Sequence, residues 1–384
     1  MGNKDADGRL RIAMLGHKFI PSRDGGIEVV VGELTTRMAA LGHSVTCYNR
    51  TNAANRQALK ENRLPTEYSG VRMIWVPTID RRGLAALSAS IVATIRAAFG
   101  KYDVVHFHAE GPCVICWLPR LLGKKVIVTI HGLDHKRQKW GRFASACIMM
   151  GEKNAARHAH QIIVLSKGVQ QYFREQYGRE TVIVPNGISP SAPRHANLIS
   201  KKFGLEPRKY ILFLGRLVPE KGIHYLIQAY QGLKTDCKLV IAGGVSDTGN
   251  YVRSLREMAK ENPDIIFTDF VEGQILEELY SNAYIYVLPS DLEGMPISLL
   301  EAMSYGCCCV TSDISECTDV TGEFGASFLR GNADALRETL QELCDHPEKA
   351  ERLGAGAKED VTRRFSWDET VEKTLRLYRK TLNK

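Results

Sequence analysis

An α/β fold of two doubly wound, parallel-sheet domains is what this sequence predicts, and three observations predict it. Short β-branched, apolar runs recur along the chain, each followed by a glycine-bearing loop and then by a stretch of helical periodicity. At 384 residues the chain exceeds what one hydrophobic core usually serves, so two domains of ordinary size are expected. The two halves also open alike. Ile12-Ala-Met-Leu-Gly16 leads through Pro21 to Gly25-Gly26-Ile27, and Ile211-Leu-Phe-Leu-Gly215 leads through Pro219 to Lys221-Gly222-Ile223.

The strands predicted in the first half are 11–16, 44–49, 71–76, 104–108, 125–131, 161–166 and 182–185; those in the second are 210–214, 238–243, 265–269, 285–289 and 307–312. Behind the first glycine pair, Ile27, Val30, Val31, Leu34, Met38 and Leu41 recur at helical spacing, with Gly42 as the stop. Ile223, Leu226, Ile227, Tyr230 and Leu233 do the same behind the second. Near residue 190 the pattern breaks into SPSAPRHANLISKKFG, whose Ser, Pro and Asn read as a connector, so the domains are expected at 1–190 and 191–365. The final stretch, 366–384, begins Ser366-Trp-Asp-Glu369, a capping-box pattern, and continues with an apolar stripe of Val371, Leu375, Tyr378 and Leu382.

Composition excludes several classes. With 44% hydrophobic and 24% charged residues the chain is globular, not disordered. The opening MGNKDADGRLR has no apolar run behind it, which speaks against a secretory signal and for a cytoplasmic protein. Ala6 stands where a myristoylation motif needs Ser or Thr. No run reaches the ~18 apolar residues of a membrane span, Leu84 to Phe99 being interrupted by Arg96 and by Ser and Thr. Ten cysteines lack the spacing of a disulfide framework, and Cys307, Cys308 and Cys309 fall in a strand-like run. Cys113-Val-Ile-Cys116 has no second pair to complete a zinc site, and buried packing on a helix is the expectation for it. The net charge of +8 suits anionic partners without choosing among them, but no reading helix or basic-aromatic interleaving points to nucleic acid.

Ligands of open α/β sheets bind beyond the C-terminal ends of the strands, and four groups sit there. Gly215-Arg216-Leu-Val-Pro-Glu-Lys221-Gly222 offers a planar guanidinium fork and a compact ammonium to a diphosphate, with Gly222 letting backbone N–H groups approach; a surface turn with two solvated cations fits the spacing equally. Asp291-Leu-Glu293-Gly-Met-Pro-Ile-Ser-Leu-Leu-Glu301 carries two carboxylates eight positions apart across a helix start, with Pro296 in the first turn; carboxylates accept hydrogen bonds from vicinal hydroxyls, but a cap and an exposed helix charge are the competing reading. Gly25-Gly26 permits close approach of backbone to a phosphate or sugar, or is a plain tight turn, and is not a GxGxxG. Thr129-Ile-His131-Gly132 places a histidine at a strand end, where it positions a substrate or is merely a satisfied polar residue. His106 and His108 share a strand face near it, but no carboxylate or cysteine completes a ligand spacing, so no metal site is expected.

Taken together, Gly25-Gly26, His131-Gly132, Ser166, Pro185-Asn186-Gly187, Gly215-Arg216, Lys221-Gly222, Gly243-Gly244 and the Glu293-x7-Glu301 pair resemble, in order and spacing, the GT4 family of retaining glycosyltransferases with the GT-B fold. The resemblance spans nearly the whole chain. The segment His131-Gly-Leu-Asp-His-Lys-Arg-Gln-Lys-Trp140-Gly141 further resembles the bacterial rhamnosyltransferase-like branch that builds surface polysaccharides.

The resemblance implies two Rossmann-like domains facing each other across a cleft, with the terminal helix, from about Trp367, joined to the N-terminal one. It implies a nucleoside-diphosphate-sugar donor whose diphosphate is neutralised by Arg216 and Lys221 beside Gly215 and Gly243. Glu301 would hold the ribose hydroxyls, and Glu293 the transferred sugar with Gly294, Met295 and Pro296 nearby. His131 and the Gly25-Gly26 loop would complete the site on closure. It implies that the leaving phosphate oxygen helps to deprotonate the acceptor, so that no protein nucleophile is needed, and that the protein's own cationic side chains stabilise the departing diphosphate, so that no cofactor or metal is required. The implied acceptor is a glycan or lipid-linked glycan. The basic stretch His135 to Arg142 beside apolar Phe143 to Met150 suggests a surface for an acceptor pyrophosphate or a peripheral contact with an anionic membrane at its inner face, or a solvated face over a packed helix. The alternatives are a nucleotide-sugar epimerase of the same architecture and a non-catalytic scaffold.

Overall fold

The structure, a computed structural model, describes residues 8–61, 63–79, 84–136, 141–244 and 249–384. Met1 to Asp7, which hold the myristoylation-like pattern, and Arg137 to Trp140 of the basic stretch lie outside the described residues. The chain divides into two compact units, one of residues 1–186 with 367–384 and one of 187–366. The changeover therefore falls at Asn186 and Gly187, ahead of the Ser- and Pro-rich connector, because Ile188 already pairs with Ser366 of the second unit.

The first unit runs β1 (Arg11–Leu15), α1 (Gly26–Ala40), β2 (Ser44–Arg50), α2 (Ala53–Lys60), β3 (Glu67–Tyr68), β4 (Val71–Val76), α3 (Leu84–Phe99), β5 (Val104–His108), α4 (Trp117–Leu121), β6 (Lys125–Ile130), α5 (Arg142–His158), β7 (Gln161–Val164), α6 (Lys167–Tyr177) and β8 (Val182–Ile183). Its sheet has the order β3-β4-β2-β1-β5-β6-β7-β8, parallel except for β3 against β4. Val104 to His108 and Val126 to Ile130 are buried on both faces, which is why β5 and β6 read as continuous apolar runs instead of alternating ones.

On α1 the inward face is Val30, Val31, Leu34, Thr35 and Met38; Leu41, counted with that stripe in the sequence, is the C-cap and stands 63% exposed. The connection from β1 to α1 passes Gly16, at φ 106, where an added Cβ would lie 2.1 Å from the carbonyl oxygen of His108. Only glycine lets the ends of β1 and β5, neighbours at the point where the strand order reverses, come this close.

The second unit runs α7 (Leu198–Phe203), β9 (Tyr210–Leu214), α8 (Ile223–Gln231), β10 (Lys238–Ala242), α9 (Gly249–Met258), β11 (Ile265–Asp269), α10 (Gly273–Asn282), β12 (Ile285–Leu288), α11 (Ile297–Ser304), β13 (Cys308–Ser312), α12 (Ser315–Thr321), β14 (Gly325–Phe328), α13 (Ala333–Asp345) and α14 (Pro347–Arg364). The chain then re-enters the first unit as α15 (Trp367–Leu382). The sheet order is β11-β10-β9-β12-β13-β14, parallel throughout, so the order reverses between β9 and β12.

The polar stripe of α15 faces out, while Trp367, Val371, Leu375 and Tyr378 are buried against α1 and β6. Thr370 Oγ1 donates to the Pro185 carbonyl at 2.9 Å, and the Tyr378 hydroxyl lies 2.5 Å from His106 Nδ1. All ten cysteines are free thiols, eight of them buried. Burial pushes the thiols of Cys307 and Cys308 up to about 12. Cys113 sits in a 3-10 turn, Gly111–Ile115, and not on an α-helix as expected for the CxxC; its thiol donates to the Ala109 carbonyl.

Candidate active site

In the second unit four backbone segments meet beyond β9, β10 and β12, and glycines make the meeting possible. Gly215 follows β9 directly, and a Cβ on Gly243, after β10, would fall 1.9 Å from its carbonyl oxygen. Gly222 caps α8 at φ 66, and a Cβ there would fall 2.0 Å from the carbonyl oxygen of Pro289, after β12. Asp291 N donates to the Glu220 carbonyl at 2.9 Å, tying the β12 loop to the 3-10 turn Pro219–Lys221.

Onto this frame the side chains are hung. Lys221 Nζ lies 2.5 Å from Glu293 Oε1, both side chains largely buried at 13% and 9% exposed. Ser290 Oγ donates to the same oxygen at 2.6 Å, and Ser312 Oγ in turn holds the Ser290 carbonyl. Arg216 stands between Gly215 and buried Leu217 at the start of the same loop. Gly294, Met295 and Pro296 are buried. Pro296 is the N-cap of α11, with an extended backbone, and not a first-turn residue: its carbonyl accepts from Leu299 and Leu300, so the helix begins one residue later than its proline suggested. Glu301, in α11, accepts a 3.0 Å hydrogen bond from Tyr280, whose ring stacks on Tyr305 at 5.5 Å. The frame thus brings Gly215, Lys221, Gly243 and Glu293 together beyond the C-terminal ends of β9, β10 and β12, with Arg216 in the same loop as Lys221 and Glu301 farther along α11.

The neighbourhood also holds groups that sequence reading missed. Tyr225 donates to Asp291 at 3.4 Å, and His224, 3.9 Å from the Tyr225 ring centre to centre, meets the Tyr251 hydroxyl at 2.9 Å. Burial raises the Asp291 carboxyl, opposed by His224, and burial lowers His224. Tyr280 and Ser290 carried no signal because a lone Tyr in a helix and a lone Ser after a strand are ordinary residues. Their position relative to Glu301 and Glu293 is set only by the β12 crossover.

In the first unit, Gly25 caps α1 with an extended backbone, and its Cβ would meet Glu28 Oε2 at 2.7 Å. Glu28 Oε1 accepts from Lys18 N at 2.8 Å, so the loop ahead of Gly25-Gly26 is fastened to the first helical turn. His131, immediately after β6, is not isolated: its Nε2 lies 3.0 Å from His108 Nδ1 with the rings stacked. Both ring nitrogens of His106 are taken, by Tyr378 and by Thr129 Oγ1 at 2.7 Å, which leaves no His106-His108-His131 ligand set. Burial lowers His106 to about 3 and His17, bonded to Asn49 Oδ1 at 3.0 Å, to about 4.

A second polar cluster lies beyond the ends of β5 and β6. Glu110 is fully buried and accepts from Asp134 N at 3.0 Å; burial, with Asp134 and Glu152 nearby, pushes its carboxyl well above the usual range. Glu152 of α5 meets His135 Nδ1 at 2.9 Å and accepts from Tyr172 and Tyr177. Its members, from Glu110 to Tyr177, follow no local motif, so the sequence offered no sign of it.

Comparison with known proteins gives the family and the fold. Residues 196–360 match the family model of glycosyl transferases group 1, and residues 24–192 match that of glycosyltransferase family 4. An alpha-maltose-1-phosphate synthase from Mycobacterium tuberculosis is 25% identical, with 97% of this chain and 99% of the relative aligned. A glycosyltransferase of Methanocaldococcus jannaschii is 27% identical over 96% and 98% of the two chains. Among solved structures, sucrose-phosphate synthase from Thermosynechococcus elongatus superposes with a TM-score of 0.80 at 23% identity, covering 97% of this chain and 99% of that one. Anabaena HepE in complex with UDP and glucose does so with 0.79 at 16% identity, covering 97% and 100%. Both units are thus halves of a GT-B fold, and the chain belongs to the glycosyltransferases of family 4 with a group 1 C-terminal half.

Proposed function

We propose that the chain is a retaining glycosyltransferase that moves a hexose, rhamnose or another, from a nucleoside-diphosphate sugar to a glycan or lipid-linked glycan in cell-surface polysaccharide synthesis. The observation that carries the reading is the Lys221–Glu293 pair, 2.5 Å apart beyond the point where the strand order of the second sheet reverses, with Arg216 in the same loop as Lys221 and Glu301 on the helix that follows Glu293. Arg216 and Lys221 face the charge that develops on the diphosphate as the glycosidic bond breaks, and fixed cations there need no reorganisation. Gly215 and Gly243 let the pyrophosphate approach backbone, and the Gly222 N-cap of α8 adds N–H groups. Glu301, oriented by Tyr280, accepts the ribose hydroxyls; Glu293, oriented by Ser290, accepts those of the sugar with the Gly294, Met295 and Pro296 backbone beside it. These cations do at the diphosphate what a metal would, so this chemistry calls for no cofactor. His131 and Gly25-Gly26 are assigned to substrate contact in the first unit.

The similarity to a fold solved with UDP and glucose supports a nucleotide-sugar donor. For the acceptor side, α5 presents Phe143, Met149 and Met150 to solvent beside exposed Arg142, the pattern of a peripheral contact with an anionic surface. Among the described residues no helix is long and apolar enough to cross a membrane. The proposed location is the cytoplasm at the inner face of the cell membrane.

A panel of UDP, ADP, GDP and dTDP sugars tests the reading, first by thermal stabilisation and then by release of nucleoside diphosphate. One donor should raise the melting midpoint, since a ligand that binds only the native state stabilises it in proportion to its affinity and concentration. Release should depend on added glycan acceptor. Isomerisation of the sugar without acceptor would instead make the chain an epimerase, and no binding to any donor would overturn the site.

A further inference from the structure

We propose that Glu110, His135 and Glu152 form a binding site for one divalent transition-metal ion, zinc or manganese, that fastens the segment after β6 to helix α5. The inference concerns the first unit alone and is independent of the sugar chemistry proposed for the second.

Three elements deliver the three side chains. Glu110 directly precedes the 3-10 turn Gly111–Ile115 that follows β5, His135 lies in the 3-10 turn Asp134–Lys136 that follows β6, and Glu152 projects from the middle of α5. Gly151 makes the approach possible: a Cβ there would fall 2.1 Å from the Glu110 carbonyl oxygen, so any other residue would push α5 off the turn. One ligand atom from each of the three residues, two carboxylate oxygens and an imidazole nitrogen, lies within 4.8 Å of the other two. Ligands bound at about 2.0–2.2 Å around one ion sit roughly 3–4 Å apart, so a small contraction closes the shell.

The hydrogen bonds around the cluster are arranged as they are around a ligated ion. Each carboxylate has one oxygen held from outside; the other meets His135 in Glu152 and is without a partner in Glu110. Glu152 Oε1 accepts from Tyr172 at 2.8 Å and Tyr177 at 2.6 Å, while Oε2 faces His135 Nδ1 at 2.9 Å. Glu110 Oε1 accepts from Asp134 N at 3.0 Å, while Oε2, in a fully buried residue, has no hydrogen-bond partner. Outer hydrogen bonds of this kind fix which atom a ligand presents to a metal. A buried carboxylate oxygen without a partner is costly, and among the described residues no Lys or Arg side chain pairs with either carboxylate. A dication supplies both the partner and the charge. Imidazole with carboxylates favours zinc or manganese over calcium, which takes oxygen ligands alone.

Bound there, the ion would join the ends of β5 and β6 to α5 four residues from His131. Its place is to position that segment.

The test uses the full chain purified without chelator, assayed for metal content by mass spectrometry, then stripped with EDTA and titrated calorimetrically with ZnCl2, MnCl2 and MgCl2. About one zinc or manganese per chain, and a melting midpoint several degrees higher with the ion than without, are expected. Glu110→Gln keeps the size of the side chain and should weaken binding at least tenfold while leaving the metal-free midpoint unchanged or higher. His135→Gln should weaken it likewise, and carries the test should Glu110→Gln fail to fold. No stoichiometric ion and no shift with any of the three salts would overturn the site, as would binding undiminished in both variants. A chain that binds the ion but transfers no sugar would leave this inference standing and remove the proposed function, and the converse outcome would do the reverse.

Discussion

Lys221 Nζ and Glu293 Oε1 lie 2.5 Å apart although 72 residues separate them in sequence. The pair couples two loops that start from neighbouring strands: Lys221 closes the turn after β9, and Glu293 stands in the loop after β12. The two groups assigned to diphosphate and sugar therefore also hold each other in place, and a single substitution disturbs both folding and chemistry.

Lys221→Ala is accordingly expected to lower kcat by about 100-fold or more, as loss of one preorganised charge donor does. It should also cost about 3 kcal/mol of stability, because Glu293 is left charged and largely buried, with its oxygen still accepting from Ser290 but its cation gone. The double variant Lys221→Met with Glu293→Gln removes both charges at little change in volume and should recover most of that stability without recovering activity. Urea denaturation of the three proteins beside single-turnover rates checks the split. A double variant no more stable than Lys221→Ala would mean that the pair does not share its charge.

Arg216 offers the complementary case. Arg216→Ala should reduce turnover by about 100-fold or more while the unfolding midpoint moves little, and Arg216→Lys should restore less than half of the lost activation free energy, since an ammonium cannot reproduce a planar fork. Measured kcat and KM for the best donor decide it; near-normal rates in the alanine variant would remove Arg216 from the diphosphate.

Much of this was legible in the sequence, for particular physical reasons. Every one of the twelve predicted strands is present: β5 and β6, buried on both faces, are uninterrupted apolar runs, and the others, such as β4 and β8 with their exposed residues, were short β-branched runs bounded by loop residues. The two strands not foreseen carry no such run: Glu67–Tyr68 is exposed, and Gly325–Phe328 is a short edge strand beginning Gly-Ala. The Lys221–Glu293 pairing joins two candidates that the sequence offered because both follow strand ends within short motifs. Tyr280, Ser290, and the Glu110, His135 and Glu152 cluster were not visible there, since what brings them together is the approach of separate elements, as at Gly151 and Gly222, and spacing along the chain does not encode it.

Tyr280 gives a test of one such hidden contact. Its hydroxyl donates to Glu301 Oε2 at 3.0 Å from a ring packed flat on Tyr305. Tyr280→Phe keeps the packing and removes the donor, so stability should fall by only about 1 kcal/mol. With the Tyr280 hydrogen bond to Glu301 gone, KM for the donor should rise severalfold while kcat changes less. An unchanged KM would show that Glu301 does not depend on this tyrosine.

Gly243→Ala probes the frame itself. The new methyl would overlap the Gly215 carbonyl at 1.9 Å, a backbone atom that cannot turn aside, so the ends of β9 and β10 must separate. Overpacking of this kind typically costs about 1–3 kcal/mol, and the displaced loop carries Arg216. Donor affinity, read by thermal shift, should therefore fall together with stability. Loss of stability with full donor affinity would place the diphosphate away from this strand end.

Buried histidines set the acid limit of the fold. His17 and His106 have folded values of about 4 and about 3, both lowered chiefly by burial, against about 6.5 in the unfolded chain. Above pH 6.5 they are neutral in both states and contribute no pH dependence. As pH falls below that value the unfolded chain binds protons that the folded chain refuses, so stability is lost progressively toward pH 4, at up to about 1.4 kcal/mol per pH unit for each histidine. Unfolding free energies measured in urea at pH 5, 6 and 7 should show this fall. In His106→Gln, where Tyr378 and Thr129 keep a neutral partner, the slope between pH 5 and 6 should drop by close to one proton. An unchanged slope in that variant would mean that His106 is charged, or open to water, in the native protein.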